Sequence, residues 1–199
     1  MTNTHYYSKT QENVKSDPNQ YIFNFHDHTF KFNTDAGFFS KDYIDYGSFA
    51  LLKEFKPNDL DAPILDMGAG YGPIGIVISK LYNRQTVMCE INERAYGLIL
   101  KNISLNNANS IAYNSNLYEK VANMQFSSIV TNPPIRAGKK IVHGIILDAY
   151  DHLNVGGSMW CVIQKKQGAE SAIKALKEKY KDVRVVCKDK LYYIIEAIR

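Results

Sequence analysis

The stretch "ILDMGAGYGPIGI", residues 64–76, decides the fold. A short apolar run carries Asp66 near its end, and Gly68, Gly70, Gly72 and Gly75 follow directly ahead of a helix-like apolar segment. Glycines there let the backbone turn sharply and come close to a ligand beneath the helix N-terminus. Twenty residues after Gly70, Glu90 closes the next apolar run, "TVMCEI", where a carboxylate can accept both hydroxyls of a ribose.

Outward from this turn the chain alternates two kinds of segment. Residues 63–67, 86–91, 111–114, 127–132 and 158–164 read as strands, and 74–82, 93–106, 139–153 and 168–180 as helices. The ending differs. "VRVVCK" (183–188) and "LYYIIEAI" (191–198) are separated only by "DK", too short for the crossover that parallel strands need. The expected fold is therefore α/β: a doubly wound, Rossmann-like sheet of seven strands, mostly parallel, with an antiparallel strand at its C-terminal end. Before it, "YIFNFHDHTFKF" (21–32) reads as a small hairpin. We expect a polar tail over 1–19 and one domain over 20–199, with residues 20–60 as an N-terminal extension.

Two cofactors fit the glycine turn. Read from Gly70, "GYGPIG" matches the dinucleotide fingerprint G-x-G-x-x-G. Read from Asp66, "DMGAG" matches the D-x-G-x-G of S-adenosylmethionine sites. Asp66 would repel a pyrophosphate but suits a cationic methionine end. Some 60 residues precede the turn, and no large segment follows the α/β pattern to hold a separate substrate. Both features favour S-adenosylmethionine.

A second stretch, "SSIVTNPPIRAGKK" (127–140), ends the fourth core strand with two prolines and a basic loop. Proline cannot donate to a ladder, so the strand stops at Asn132. In a doubly wound sheet that places Asn132 beside the glycine turn. An exocyclic amine on a base is a poor nucleophile because its lone pair is delocalised into the ring. The Asn132 side-chain oxygen and the Pro133 carbonyl can each accept one N–H, drawing the nitrogen towards a tetrahedral shape; the prolines hold both acceptors in place. A carboxylate also accepts, so Asn132→Asp should keep more transfer than Asn132→Ala.

Composition excludes little and supports a globular chain: 45% of residues are apolar and 22% charged. The net charge is +4, and Lys165 to Lys190 holds nine Lys/Arg against four Asp/Glu, a basic stretch suited to RNA. Cys89, Cys161 and Cys187 are widely spaced, and His26 and His28 sit at the hairpin turn without a third ligand, so no metal is expected. The N-terminus is polar and no apolar run is long enough to span a membrane, which points to the cytoplasm.

These motifs resemble the class I S-adenosylmethionine-dependent methyltransferases and, within them, the RsmC-like guanine-N2 methyltransferases of small-subunit (16S) ribosomal RNA. The resemblance runs over about residues 20–199. It rests on "GFFSKDYIDYGSFALL" (37–52), "ILDMGAGYGPIGI" (64–76), "CEIN" (89–92), "NSNLYEKV" (114–121), "VTNPPIRAGK" (130–139) and "KDKLYYII" (188–195). It implies that Asp66, Gly68, Ala69 and Gly70 border the methionine part of the cofactor, and that Glu90 holds the ribose. Ile91 would lie against the adenine and Asn116 would accept from its amino group. Asn132, Pro133, Pro134 and Ile135 would form the transfer site, with Asn132 also touching the cofactor. Phe39, Ser40 and Lys41, together with Arg136, Lys139 and Lys140, are candidate RNA contacts, and Asp45 and Ser48 are candidates as well, either at the site or as a helix cap. There are departures. Ile135 stands where an aromatic is common, leaving Phe38, Phe39 or Tyr71 to stack on the base. Asn116 stands where Asp is common. Longer members carry a second, N-terminal methyltransferase-like domain with no counterpart in these 199 residues. Methylation of another amine, an adenine or a protein glutamine, stays open, as does a non-catalytic RNA-binding module on the same scaffold.

Overall fold

The structure is a computed structural model and describes Lys9, residues 15–36 and residues 43–199. An N-terminal hairpin, β1 (Asn19–Phe25) and β2 (His28–Thr34), precedes helix α1 (Tyr46–Glu54). The α/β body follows as β3 (Ile64–Met67), α2 (Pro73–Tyr82), β4 (Thr86–Glu90), α3 (Glu93–Asn106), β5 (Ser110–Asn114), β6 (Phe126–Thr131) and α4 (Lys139–His152). It closes with β7 (Leu153–Gln164), α5 (Ala169–Lys179), β8 (Asp182–Asp189) and β9 (Tyr192–Ile198).

Seven strands form one sheet in the order β5-β4-β3-β6-β7-β9-β8. β9 runs antiparallel to both β7 and β8, between which it is inserted, while β3 to β7 pair in parallel. The order turns at β3, whose two sides take β4 and β6. The crevice at the C-terminal ends of these strands is where such sheets bind ligands.

Every residue of β3, β4 and β6 is buried, as expected for strands covered on both faces. Ile64, Val130, Trp160 and Val162 pack on one face with α1, α2, Ile99 of α3 and the hairpin. Leu65, Met67, Ile129 and Met159 pack on the other with α4 and α5. The two-residue strand period divides each strand between the two layers.

Two elements differ from the sequence expectation. Helix α1 was foreseen only through the possible cap at Asp45 or Ser48, without a range. Its residues "YGSFALLKE" bury Gly47, Ser48, Ala50, Leu51 and Leu52, so no polar stripe marks it in the sequence. β7 starts at Leu153 rather than 158, with a register shift against β6 between Phe126 and Ser128.

The hairpin is tied to α3 by two side-chain amides one turn apart. Asn106 accepts from the Lys31 N–H (3.0 Å) and donates to its carbonyl (2.8 Å), as a neighbouring strand would. Asn102 does the same for Asn33 (2.8 and 3.0 Å) and also donates to the Tyr71 carbonyl at 2.9 Å, joining the hairpin to the glycine turn. Among the described residues no helix is long and apolar enough to cross a membrane, and no group of three or more His, Cys, Asp or Glu is placed to hold a metal ion.

Candidate active site

A cavity of about 250 Å³ opens at the C-terminal ends of β3 and β6. Gly68 to Tyr71, Pro73 and Ile74 form one wall, with Glu90 beside them. Asn132 to Arg136 form the facing wall, and Asp45, Ser48, Gln164, Gln167 and Tyr192 close the remaining side. The two motifs that sequence reading singled out therefore meet across one space.

The glycine wall is bound to β4. Gly68 and Ala69 donate their N–H groups to the Cys89 carbonyl (2.9 and 3.1 Å), and Gly70 donates to Glu90 Oε2 at 2.8 Å. Glu90 Oε1 accepts from the Asn92 N–H at 2.9 Å, so one carboxylate fastens both the turn and the start of α3. Burial pushes the Glu90 carboxyl up to about 7, opposed by the Asn92 and Gly70 N–H groups.

Asp66 stands behind the glycine wall. It does not line the cavity: it points to the α2 face of the sheet, where Oδ2 accepts from the Gly75 N–H at 2.8 Å. Its Oδ1 is buried without a hydrogen-bond partner. Burial pushes this carboxyl up to about 7 as well, against the Gly75 N–H and with the help of the Glu90 charge. Asp66 thus braces the glycine turn from beneath. Ile91 and Asn116 also lie off the cavity wall. Asn116 is exposed, and its amide N–H donates to Glu119 Oε1 at 2.8 Å.

The second wall is rigid at its root. Thr131 Oγ1 donates to the Met67 carbonyl at 2.7 Å, locking the end of β6 onto β3. Pro133 and Pro134 are buried, and a 3₁₀ turn over Ile135–Ala137 leads into α4. The Asn132 Nδ2 donates to Asp45 Oδ1 (3.0 Å) and to Ser48 Oγ (3.0 Å). With Nδ2 given to these two oxygens, Oδ1 remains as the acceptor of a side chain that lines the cavity. Asp45 is also the N-cap of α1, accepting from the Ser48 N–H at 3.2 Å, so the cap and the site use one oxygen.

Of the basic candidates, Arg136 lines the cavity, and Lys139 and Lys140 are exposed at the start of α4. Phe38, Phe39, Ser40 and Lys41 lie outside the described residues. Tyr71 cannot supply a free ring. It is 4% exposed, packed edge-on against Phe32 and Tyr21, and its hydroxyl meets that of Tyr21 at 2.9 Å. Sequence reading gave no role to Gln164 and Tyr192, whose side chains meet at 2.7 Å on the cavity wall. Gln164 ends β7 at the ligand-binding edge of the sheet, a signal that was available from the strand pattern alone.

A sequence model of the methyltransferase small domain matches residues 29–196. The chain belongs to this family. It is 44% identical over 196 residues, covering 97% of both chains, to the uncharacterized protein YbxB of Bacillus subtilis (strain 168). It is 28% identical to ribosomal RNA small subunit methyltransferase C of Vibrio cholerae over 71% of this chain and 42% of that protein, so it spans less than half the length of such relatives. Its fold matches the T. thermophilus 16S rRNA N2 G1207 methyltransferase (RsmC), solved with AdoMet and guanosine. That match has a TM-score of 0.83 at 21% identity, over 92% of this chain and 50% of that one.

As a small-domain methyltransferase the chain uses S-adenosylmethionine, and the cavity suits it. Gly68 and Gly70 stand at positive φ (72° and 60°), and a Cβ at Gly70 would meet nothing within 4 Å, so bare backbone faces open space. Buried Glu90 keeps lone pairs beyond those that hold Gly70 and Asn92, as a diol ligand would need.

Proposed function

We propose that this methyltransferase methylates the exocyclic N2 amine of a guanine in small-subunit ribosomal RNA. The observation that carries the reading is the fixed Asn132 amide, whose Nδ2 is spent on Asp45 and Ser48 and whose oxygen is left for an amine N–H. S-adenosylmethionine supplies a methyl group on a sulfonium, an excellent leaving group. The protein need only hold the amine in line. Asn132 Oδ1 and the Pro133 carbonyl would each accept a hydrogen bond from one of its N–H groups, leaving the nitrogen lone pair for the methyl group, and the proton shed by the methylated nitrogen would pass to solvent. Glu90 would bind the ribose hydroxyls and the Gly68–Gly70 backbone would border the methionine end.

Guanine is favoured over adenine by the sense of this wall. Asn132 Oδ1, the Pro133 carbonyl and the Asp45 carboxylate are all acceptors. Guanine N2 lies beside the N1–H donor, whereas adenine N6 lies beside the N1 acceptor, which a carboxylate repels. The relatives named for ribosomal RNA and the RsmC structure with guanosine point the same way. Tyr192, half-buried on the cavity wall, is our candidate to stack on the base in place of Tyr71, and Arg136, Lys139 and Lys140 would meet phosphates. A base inside a paired helix cannot reach the cavity, so the target is unpaired or flipped out. The enzyme would work in the cytoplasm.

Mass spectrometry of nucleosides from ribosomal RNA of cells with and without the protein tests the reading. Loss of N2-methylguanine from the small-subunit RNA, restored by the purified enzyme and S-adenosylmethionine, is expected. An unchanged RNA with a missing methyladenine or methylglutamine would replace guanine by that amine.

A further inference from the structure

We propose that Asp45 and Ser48 are positioning residues for methyl transfer, because they fix which end of the Asn132 amide faces the cavity. The inference rests on the reading of Asn132 as the amine acceptor. An asparagine amide has two nearly isosteric orientations, one offering an oxygen and the other two N–H donors. Only the first can accept from an amine. A half-buried Asn132 with no directional partner would sample both.

The structure removes the choice. Asp45 Oδ1 and Ser48 Oγ stand 3.0 Å from Asn132 Nδ2, one partner for each hydrogen. A carboxylate only accepts, so a flipped amide would set oxygen against oxygen. The carboxylate is itself fixed by the Ser48 N–H at the start of α1. Gly47 lets that helix end approach: a Cβ there would stand 3.0 Å from Tyr192 Cε1, 3.2 Å from Asp45 Oδ1 and 3.4 Å from Asn132 Nδ2. The start of α1 therefore lies close against the end of β6, and a side chain at 47 would need its neighbours to give by a few tenths of an ångström.

This revises the expectation for Asn132→Asp. A carboxylate at 132 would face Asp45 at hydrogen-bond distance, and two like charges so close repel or share a proton. The single variant should transfer no better than Asn132→Ala. Exchanging the pair, Asp45→Asn with Asn132→Asp, restores one amide and one carboxylate and should recover activity. A contact that merely ties α1 to the sheet gives no reason for such recovery.

Two measurements on the full chain test this. The first needs no substrate: NMR hydrogen exchange of the Asn132 side-chain amide, assigned by its disappearance in Asn132→Ala. Protection in the wild type, with exchange faster by about tenfold or more in Ser48→Ala, is expected from the loss of one buried hydrogen bond. Wild-type exchange as fast as that of exposed asparagines would overturn the proposal. The second is single-turnover methylation of RNA from cells lacking the protein, with S-adenosylhomocysteine binding as the check on folding. The exchanged pair should exceed Asn132→Asp. If Asn132→Ala is inactive and the exchanged pair is no better than Asn132→Asp, positioning fails alone. If Asn132→Ala matches wild type, the acceptor reading itself fails.

Discussion

The two walls of the cavity are held by contacts of very different range. On the glycine side, Asp66 reaches Gly75 nine residues on and Glu90 reaches Gly70 across 20. On the asparagine side, Asn132 is held by Asp45 and Ser48, which lie 87 and 84 residues earlier. The first wall is the product of adjacent β–α units and forms wherever those units fold. The second exists only when α1 docks against the sheet. The cofactor wall should thus be robust and separable from the acceptor wall, which we propose controls the chemistry.

The largest effect expected on cofactor binding is that of Glu90→Ala. It should weaken S-adenosylhomocysteine binding by about 1.5–3 kcal/mol, the usual size for hydrogen bonds to a charged group. Part of that loss comes from freeing the Gly70 and Asn92 N–H groups, so Glu90→Gln should lose less in the same calorimetric titration. Equal losses would mean that only the charge matters.

Gly75→Ala tests the brace beneath the turn. The new Cβ would stand 2.7 Å from Met88 Cγ and Sδ and 3.3 Å from Asp66 Cβ. Overpacking of this kind costs about 1–3 kcal/mol, and a flexible methionine favours the lower end. Urea unfolding measures it; an unshifted midpoint would show that Met88 yields freely.

A further effect should appear in pH dependence. Asp66 and Glu90 are both pushed up to about 7 by burial, so the folded chain holds their protons more tightly than the unfolded chain does. Stability of the ligand-free protein should fall as pH rises from about 4 through 7. Its melting temperature should be lower at about pH 8 than at about pH 5.5, and Asp66→Asn should flatten the difference. A profile that rises over this window would contradict the burial of these charges.

The smallest effect belongs outside both walls. The Arg136/Lys139/Lys140→Ala variant should reduce the slope of log RNA affinity against log salt by about 0.7–0.9 for each phosphate that these side chains no longer neutralise. An unchanged slope would take this loop off the RNA surface.

The same difference in range explains what the sequence made legible. Gly68, Gly70 and Glu90 carry their meaning in local spacing, and the seven strands show in the alternation of apolar runs. Asn132 was legible because two prolines follow it. Asp45 and Ser48 could be noticed within "IDYGS", but no local pattern links residue 45 to residue 132. The motif names Asp66 and not its side of the sheet, so its hydrogen bond to the Gly75 N–H was not legible. Tyr192 was hidden because its place depends on β9 inserting between β7 and β8, a choice made by tertiary packing.

Separation of the two walls is tested most directly by Asn132→Ala, measured for S-adenosylhomocysteine binding by calorimetry and for single-turnover transfer at saturating S-adenosylmethionine. The account predicts wild-type cofactor affinity and transfer slowed by on the order of 10²–10³, as for the loss of one preorganised oxyanion donor. A variant that loses cofactor affinity as Glu90→Ala does, yet transfers at the wild-type rate once saturated, would contradict it.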